Sequence, residues 1–325
     1  MASYWNKYPE LDKQIKQVKK LIEQRLQVRN AEISQAVSQL AQAGGKYLRP
    51  AFFFLFTNFG TDKQDSQKLT KIAASLEILH MATLIHDDII DDSPLRRGTI
   101  SIQAQFGKDI AVYTGDLLFT IFFDLTLETM NGSPYLQVNA NAMKKILLGE
   151  LDQMYLRYNQ EQSLRDYLRS TSGKTAELFR LASLEGAYFS GASQSVINRA
   201  GRIGLNIGLA FQMLDDILDY TASKDEFNKP VVEDLNTGVY TLPLLLALKE
   251  NPAAFKPYLD KRNQMTVADM NQVAQLVRDL GGVDQARSLA RKFTQKALDD
   301  IKLLPKSKSQ KQLAQLTTYL LKRKI

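Results

Sequence analysis

Residues 66–98 read SQKLTKIAASLEILHMATLIHDDIIDDSPLRRG. Leu69, Ile72, Ala73 and Leu76 recur at helical spacing, and the apolar pattern continues past Leu84 and Ile85 toward Pro94, so one long helix is predicted from Ser66. Its end carries the run Asp-Asp-Ile-Ile-Asp-Asp at 87–92. Positions i and i+4 lie one turn apart on one helix face, so Asp87 and Asp91 converge and repel. A hard divalent cation gives such a pair a purpose, because oxygen ligands hold it without Cys or His.

The same spacing recurs at Asp215-Asp-Ile-Leu-Asp219. Asp supplies 23 of 325 residues, so chance places Asp-Asp-x-x-Asp in such a chain roughly 0.1 times, which makes two accidental copies a poor explanation. Both runs sit in apolar surroundings, Leu76–Ile90 and Ile203–Leu218. A solvated acidic face is therefore the weaker reading, since buried charges are rarely left unpaired. Two facing carboxylate sets would gather several Mg²⁺ ions, which typically hold phosphate oxygens. A diphosphate is the implied ligand.

Outward from these runs the punctuation is helical. Asn30 is a candidate cap before Ile33, Val37, Leu40 and Ala41, and Gly44-Gly45 stops that stretch. Pro50 suits the first turn of a segment through Phe52–Phe56, a run that taken alone also passes for a buried strand. Thr266 and Asp269 form a capping-box pattern before Val273, Leu276 and Val277, with Gly281-Gly282 as the stop. Strict alternation is hard to find, so an all-α chain is expected. With neither a repeat nor a low-complexity linker, the expected organisation is a single domain over 1–325 ending in a basic helix at about 301–325. Ser93–Phe106 and Thr221–Tyr240 read as long irregular stretches, each directly after an acidic run.

Composition narrows the chemistry. The chain has no Cys and two His, His80 and His86, which excludes disulfides, thiolate zinc sites, a Cys nucleophile and a polyhistidine cage. Its formal charge is +7, and seven bases with no acid fall in 301–325, leaving the body balanced. That tail suits peripheral contact with anionic lipid or an acidic partner, a solvated face being the blander alternative. Nucleic acid is not an expected partner, because bases interleaved with aromatics over a broad face are missing. No secretory signal and no membrane-length apolar stretch are evident, so a cytoplasmic location is expected.

Bases beside the acids complete the picture: Gly44-Gly45-Lys46-Tyr47-Leu48-Arg49-Pro50, Arg96-Arg97-Gly98, Lys174 in Gly-Lys-Thr and Lys229 in Asn-Lys-Pro. Arginine forks and lysine point charges are phosphate ligands. Gly173-Lys174-Thr175 lacks the upstream glycine of a P-loop and is no Walker motif.

With His80-Met-Ala-Thr-Leu-Ile-His86-Asp87-Asp88-Ile-Ile-Asp91-Asp92-Ser-x-x-Arg96-Arg97-Gly98 and Phe211-Gln212-x-x-Asp215-Asp216-x-x-Asp219, the chain resembles the trans-polyprenyl diphosphate synthases. Tyr113-Thr-Gly115-Asp116 and Gly149-Glu150-x-x-Gln153 look most like the catalytic subunit of bacterial heptaprenyl-type synthases. The resemblance implies an isoprenoid-synthase-type helical bundle around a central apolar cavity. It implies that Asp87, Asp91 and Asp215 hold Mg²⁺, and that Arg96, Lys174, Thr175, Gln212 and Lys229 bind an allylic diphosphate. Lys46, Arg49, His80 and Arg97 would bind isopentenyl diphosphate, while Asp88, Asp216 and Asp219 would support the metal at one remove. A homodimer, or a heterodimer with a small non-catalytic subunit, is implied as well.

Ala82, five residues before Asp87 and about 7.5 Å deeper along the helix, stands near where relatives place a chain-ending aromatic. A hexaprenyl to octaprenyl product is expected, heptaprenyl favoured. An inactive scaffold subunit and a terpene cyclase-type ionising enzyme are the competing readings. The Gly-Gly-Lys-x-x-Arg anchor for a second diphosphate opposes the cyclase, and the intact Asp, Arg and Lys sets oppose the scaffold. Tyr47, Asn228 and Val232 depart from the family pattern.

Overall fold

The computed structural model describes residues 5–42, 45–62, 65–96, 98–221 and 233–321. Helices succeed one another through them: α1 (Pro9–Arg25), α2 (Ala31–Gln42), α3 (Leu48–Thr57), α4 (Ser66–Ile90), α5 (Ile102–Phe106), α6 (Lys108–Met130), α7 (Tyr135–Tyr155), α8 (Leu164–Thr171), α9 (Glu177–Phe189) and α10 (Gln194–Thr221). A π-helical turn, Ser172–Ala176, joins α8 to α9. Further helices follow at Glu233–Asn236, Leu242–Glu250, Pro252–Leu259, Val267–Asp279, Gly282–Lys302 and Lys308–Leu321. The all-α expectation holds, and the strand alternative for Phe52–Phe56 falls: all five residues are buried within α3.

The chain divides into two compact units, Met1–Ala140 with Leu181–Ala200, and Asn141–Arg180 with Gly201–Ile325. In the first, α4 is the central element, packed most heavily against α6 and also against α1, α3 and α5. It is buried nearly all round, from Leu69 through Ile85, as a helix apolar on every side must be. The Asp65 side chain caps it by accepting from the N–H groups of Gln67 and Lys68. Asn30 caps α2 in the same way, accepting from Glu32 and Ile33. Gly186 in α9 lets that helix lie against α3, since a Cβ there would sit 2.2 Å from the Phe53 carbonyl oxygen.

The stretch 93–106 is more ordered than its sequence implies. Leu95–Arg96 pairs antiparallel with Thr99–Ile100, Gly98 turns at φ 79°, and Ser101 caps the short α5. Of the other stretch, 221–240, residues 222–232 lie outside the described residues.

α6 corrects one expectation. It is long and apolar enough, by length and composition, to cross a membrane, although only 39% of that stretch is buried. Thr114, Asp116, Thr120 and Asp124 are spread along it and break the visual run. Ile110, Val112, Tyr113, Leu117, Phe123 and Leu127 are exposed on it.

In the second unit, the helices at Leu242–Glu250, Gly282–Lys302 and Lys308–Leu321 pack in succession, and Val267–Asp279 packs on the first two. The capping box at Thr266 and Asp269 is complete. Gly281 ends one helix and, at φ 73°, leads directly into the next.

Candidate active site

In the first unit the acids occupy the C-terminal end of α4. Asp91 is its C-cap, and its N–H donates to the Asp87 carbonyl at 2.9 Å, so the i, i+4 relation is an actual helical turn. Asp87 is half-buried and Asp91 exposed. Carboxylates at a helix C-terminus oppose the macrodipole, so this arrangement costs stability unless cations answer it.

Two answers are visible. Lys108 Nζ lies 2.9 Å from Asp92, whose own φ of 51° is uncommon for a non-glycine residue. Asp88 turns inward, 3% exposed, and is bound by the Arg96 guanidinium, with Arg96 Nε at 2.7 Å. The sequence placed these two in separate roles; the fold brings them together at a small hollow also lined by Gln39, Leu40 and Ser101.

His86 stands against α6. A Cβ at Gly115 would lie 2.4 Å from His86 Nε2, and that nitrogen is 3.4 Å from both Asp116 Oδ1 and the Val112 carbonyl oxygen. His80 is half-buried two turns earlier on α4. Lys46 and Arg49 flank the start of α3, whose N-cap, Tyr47, makes no side-chain capping bond. Tyr47 itself is buried at φ 49°, donates its hydroxyl to the Ala41 carbonyl at 2.7 Å and lies beneath Lys19 Nζ. The departure from the family pattern is thus a packed side chain. Arg97 and Lys229 lie outside the described residues.

The second unit holds the other group. Asp215 and Asp219 are half-buried one turn apart on α10, while Asp216 is 3% exposed. Asp216 accepts from the Tyr167 hydroxyl at 2.7 Å, from Gln212 Nε2 at 2.9 Å and from the Leu242 N–H at 3.3 Å. Burial pushes its carboxyl up to about 6 despite those donors, and it holds Tyr167 well above the ordinary phenol range. Gln212 Oε1 in turn accepts from Thr175 Oγ1 at 2.8 Å. Lys174, on the π turn, reaches Glu150 Oε2 at 2.8 Å and Gln153 Oε1 at 3.1 Å. Tyr167 and the Leu242 amide were invisible to sequence reasoning, since no local pattern marks a partner so far along the chain.

A single design therefore appears in both motifs. The second Asp is turned inward and holds a side chain, Arg96 on Asp88 and Gln212 on Asp216. The first and third, Asp87 with Asp91 and Asp215 with Asp219, face outward enough to meet a ligand. Among the described residues no three His, Asp or Glu side chains are gathered as a ready-made cage. A donor set of paired carboxylates, with the remaining positions left to phosphate oxygens and water, fits Mg²⁺ better than a metal needing a full protein shell.

Comparison with known proteins gives the family. Residues 30–280 match the polyprenyl synthetase family model. Over 317 residues the chain is 34% identical to heptaprenyl diphosphate synthase component 2 of Bacillus subtilis (strain 168), covering 98% of this chain and 90% of that one. It also matches the crystal structure of a geranylgeranyl pyrophosphate synthase from Lactobacillus brevis ATCC 367, with TM-score 0.94 and 44% identity over 98% of this chain and 99% of the other. A polyprenyl synthase from Caulobacter crescentus CB15, complexed with calcium and isoprenyl diphosphate, matches with TM-score 0.89 and 32% identity over 97% and 96%. The chain belongs to the polyprenyl synthetase family. It is a prenyltransferase of the polyprenyl diphosphate synthase kind.

Proposed function

We propose that this chain lengthens an allylic diphosphate by successive condensation with isopentenyl diphosphate, giving a medium-to-long all-trans polyprenyl diphosphate with heptaprenyl favoured. The observation that carries this is the shared design of the two motifs, in which outward acids stand beside diphosphate-type side chains held by an inward acid. Asp87 and Asp91 in one motif, and Asp215 in the other, would hold Mg²⁺. When bound, Mg²⁺ supplies charge neutralisation at the diphosphate that departs from the allylic carbon.

The chain's own groups do the remainder. Arg96, Lys174, Thr175, Gln212 and Lys229 hold the allylic diphosphate and stabilise its growing negative charge as the C–O bond breaks. Lys46 and Arg49 beside the start of α3, together with His80 and Arg97, hold isopentenyl diphosphate, consistent with the anion preference of helix N-termini. Asp88 and Asp216 act by fixing Arg96 and Gln212.

Ala82 is fully buried and small, which supports a product longer than an aromatic at that place would allow. The 44% identity to a chain named for a geranylgeranyl product supports a second, shorter reading, a C20 product. Exposed Ile110, Val112, Tyr113, Leu117, Phe123 and Leu127 on α6 support a partner polypeptide that covers them, as does a relative whose name makes it one component of a synthase.

The test is to incubate the pure chain with farnesyl diphosphate, isopentenyl diphosphate and Mg²⁺, alone and with host extract, and chromatograph the dephosphorylated products. A C35 alcohol is expected. A C20 alcohol establishes the shorter reading, and no condensation in either arm overturns the proposal.

A further inference from the structure

The Gly149-Glu150-x-x-Gln153 segment of α7 and the π turn after α8 meet through bare backbone. A Cβ on Gly149 would lie 2.6 Å from the Lys174 nitrogen, and one on Gly173 would lie 2.7 Å from the Lys145 carbonyl oxygen and 2.8 Å from Gly149 Cα. Only glycine at both positions allows this approach. It places the root of the Lys174 side chain directly over one face of α7.

On that face Glu150 and Gln153, three residues apart, both accept from Lys174 Nζ, at 2.8 and 3.1 Å. The next residue of the turn, Thr175, binds Gln212 on α10. A π turn carries an extra residue and is often found at functional sites; here its consecutive side chains grip two different helices. A second ion pair, Lys145 to the buried Glu177 at 2.7 Å, ties α7 to the residue that follows the turn. Neither Glu150 nor Lys174 is fully exposed, at 15% and 27%, so their charges interact in a partly desolvated setting.

We propose that Glu150 is a positioning residue for the diphosphate. With Gln153 it keeps the Lys174 ammonium aimed while the site is empty, and its negative charge moderates the hold on the anion so that diphosphate can leave. This rests on Lys174 being a diphosphate ligand.

The test is a cycle of Glu150→Gln, Lys174→Gln and the double variant, each titrated calorimetrically with inorganic pyrophosphate and Mg²⁺ and checked for folding by circular dichroism. Glu150→Gln keeps an acceptor and removes the charge, so pyrophosphate binds about three- to fivefold more tightly. That gain disappears in the Lys174→Gln background. A gain that persists there, or no gain in folded Glu150→Gln, overturns the proposal.

If Lys174→Gln alone leaves pyrophosphate affinity unchanged, the fault lies in the diphosphate assignment of Lys174. Should Glu150→Gln fail to fold, Glu150→Asp decides. Withdrawing the carboxylate by one methylene raises KM for the allylic diphosphate while KM for isopentenyl diphosphate stays fixed; two unchanged values overturn the proposal.

Discussion

The Tyr167 hydroxyl donates to Asp216 at 2.7 Å, joining the short helix α8 to the middle of the second acidic motif. Asp216 is a carboxyl whose folded pKa, about 6, exceeds its ordinary 3.8. Between those values the folded state binds more protons than the unfolded one, so this group's contribution is fully present below 3.8 and is lost as pH rises through 6. Denaturant melts of the wild type should lose on the order of a few kcal/mol from pH 4 to pH 7 relative to Asp216→Asn, which has no such proton to lose. Parallel curves for the two proteins contradict the assignment.

Tyr167→Phe leaves that carboxylate one donor short. A destabilisation of about 1–3 kcal/mol is expected at pH 7, smaller at pH 4, where Asp216 is protonated. Equal losses at both pH values show that the phenol matters through packing alone.

Outward and inward acids should separate cleanly by mutation. Asp87→Asn, Asp91→Asn and Asp215→Asn are expected to lower kcat about a thousandfold or more. Asp91→Asn should also raise the metal-free Tm slightly, because one charge opposing the α4 dipole is gone. Asp88→Ala instead strands Arg96 and lowers Tm by several degrees, a change of about 1–3 kcal/mol. Scanning calorimetry beside steady-state kinetics distinguishes the two classes.

Gly115→Ala brings a methyl to 2.4 Å from His86 Nε2, so the imidazole has to turn aside. Alanine gains about 1 kcal/mol of helix propensity over glycine, which offsets the disturbance. Tm should stay within a few degrees while kcat falls, since His86 adjoins Asp87 in sequence. A variant with wild-type kcat shows that the imidazole has no bearing on the acidic turn.

Arg25 and Lys71 hold the Glu128 carboxyl down to about 2 from 4.5. Its stabilisation is present above 4.5 and is lost as pH falls through 2. Wild type should therefore lose more stability than Glu128→Gln on acidification from pH 5 to pH 2. The difference shrinks in 1 M salt, where the Debye length is about 3 Å.

How much could be read from the chain varies by residue. Helix α4 was legible because its apolar spacing, the proline shortly after its end at Ile90 and its i, i+4 acids are all local. Asn30, Thr266 and Asp269 were equally plain, being short-range caps. The pairings Arg96 with Asp88 and Tyr167 with Asp216 were not, because in the first the chain folds back after the helix end, through Asp92 at φ 51°, and the second spans 49 positions. The left-handed Tyr47 read only as an oddity, since the carbonyl that receives its hydroxyl lies at the end of α2.

The bare face of α6 sets the colloidal behaviour of the isolated chain. Six large apolar side chains along one helix order water that any neighbouring molecule would release, so light scattering from the lone protein should climb with concentration. A mild detergent should flatten that rise.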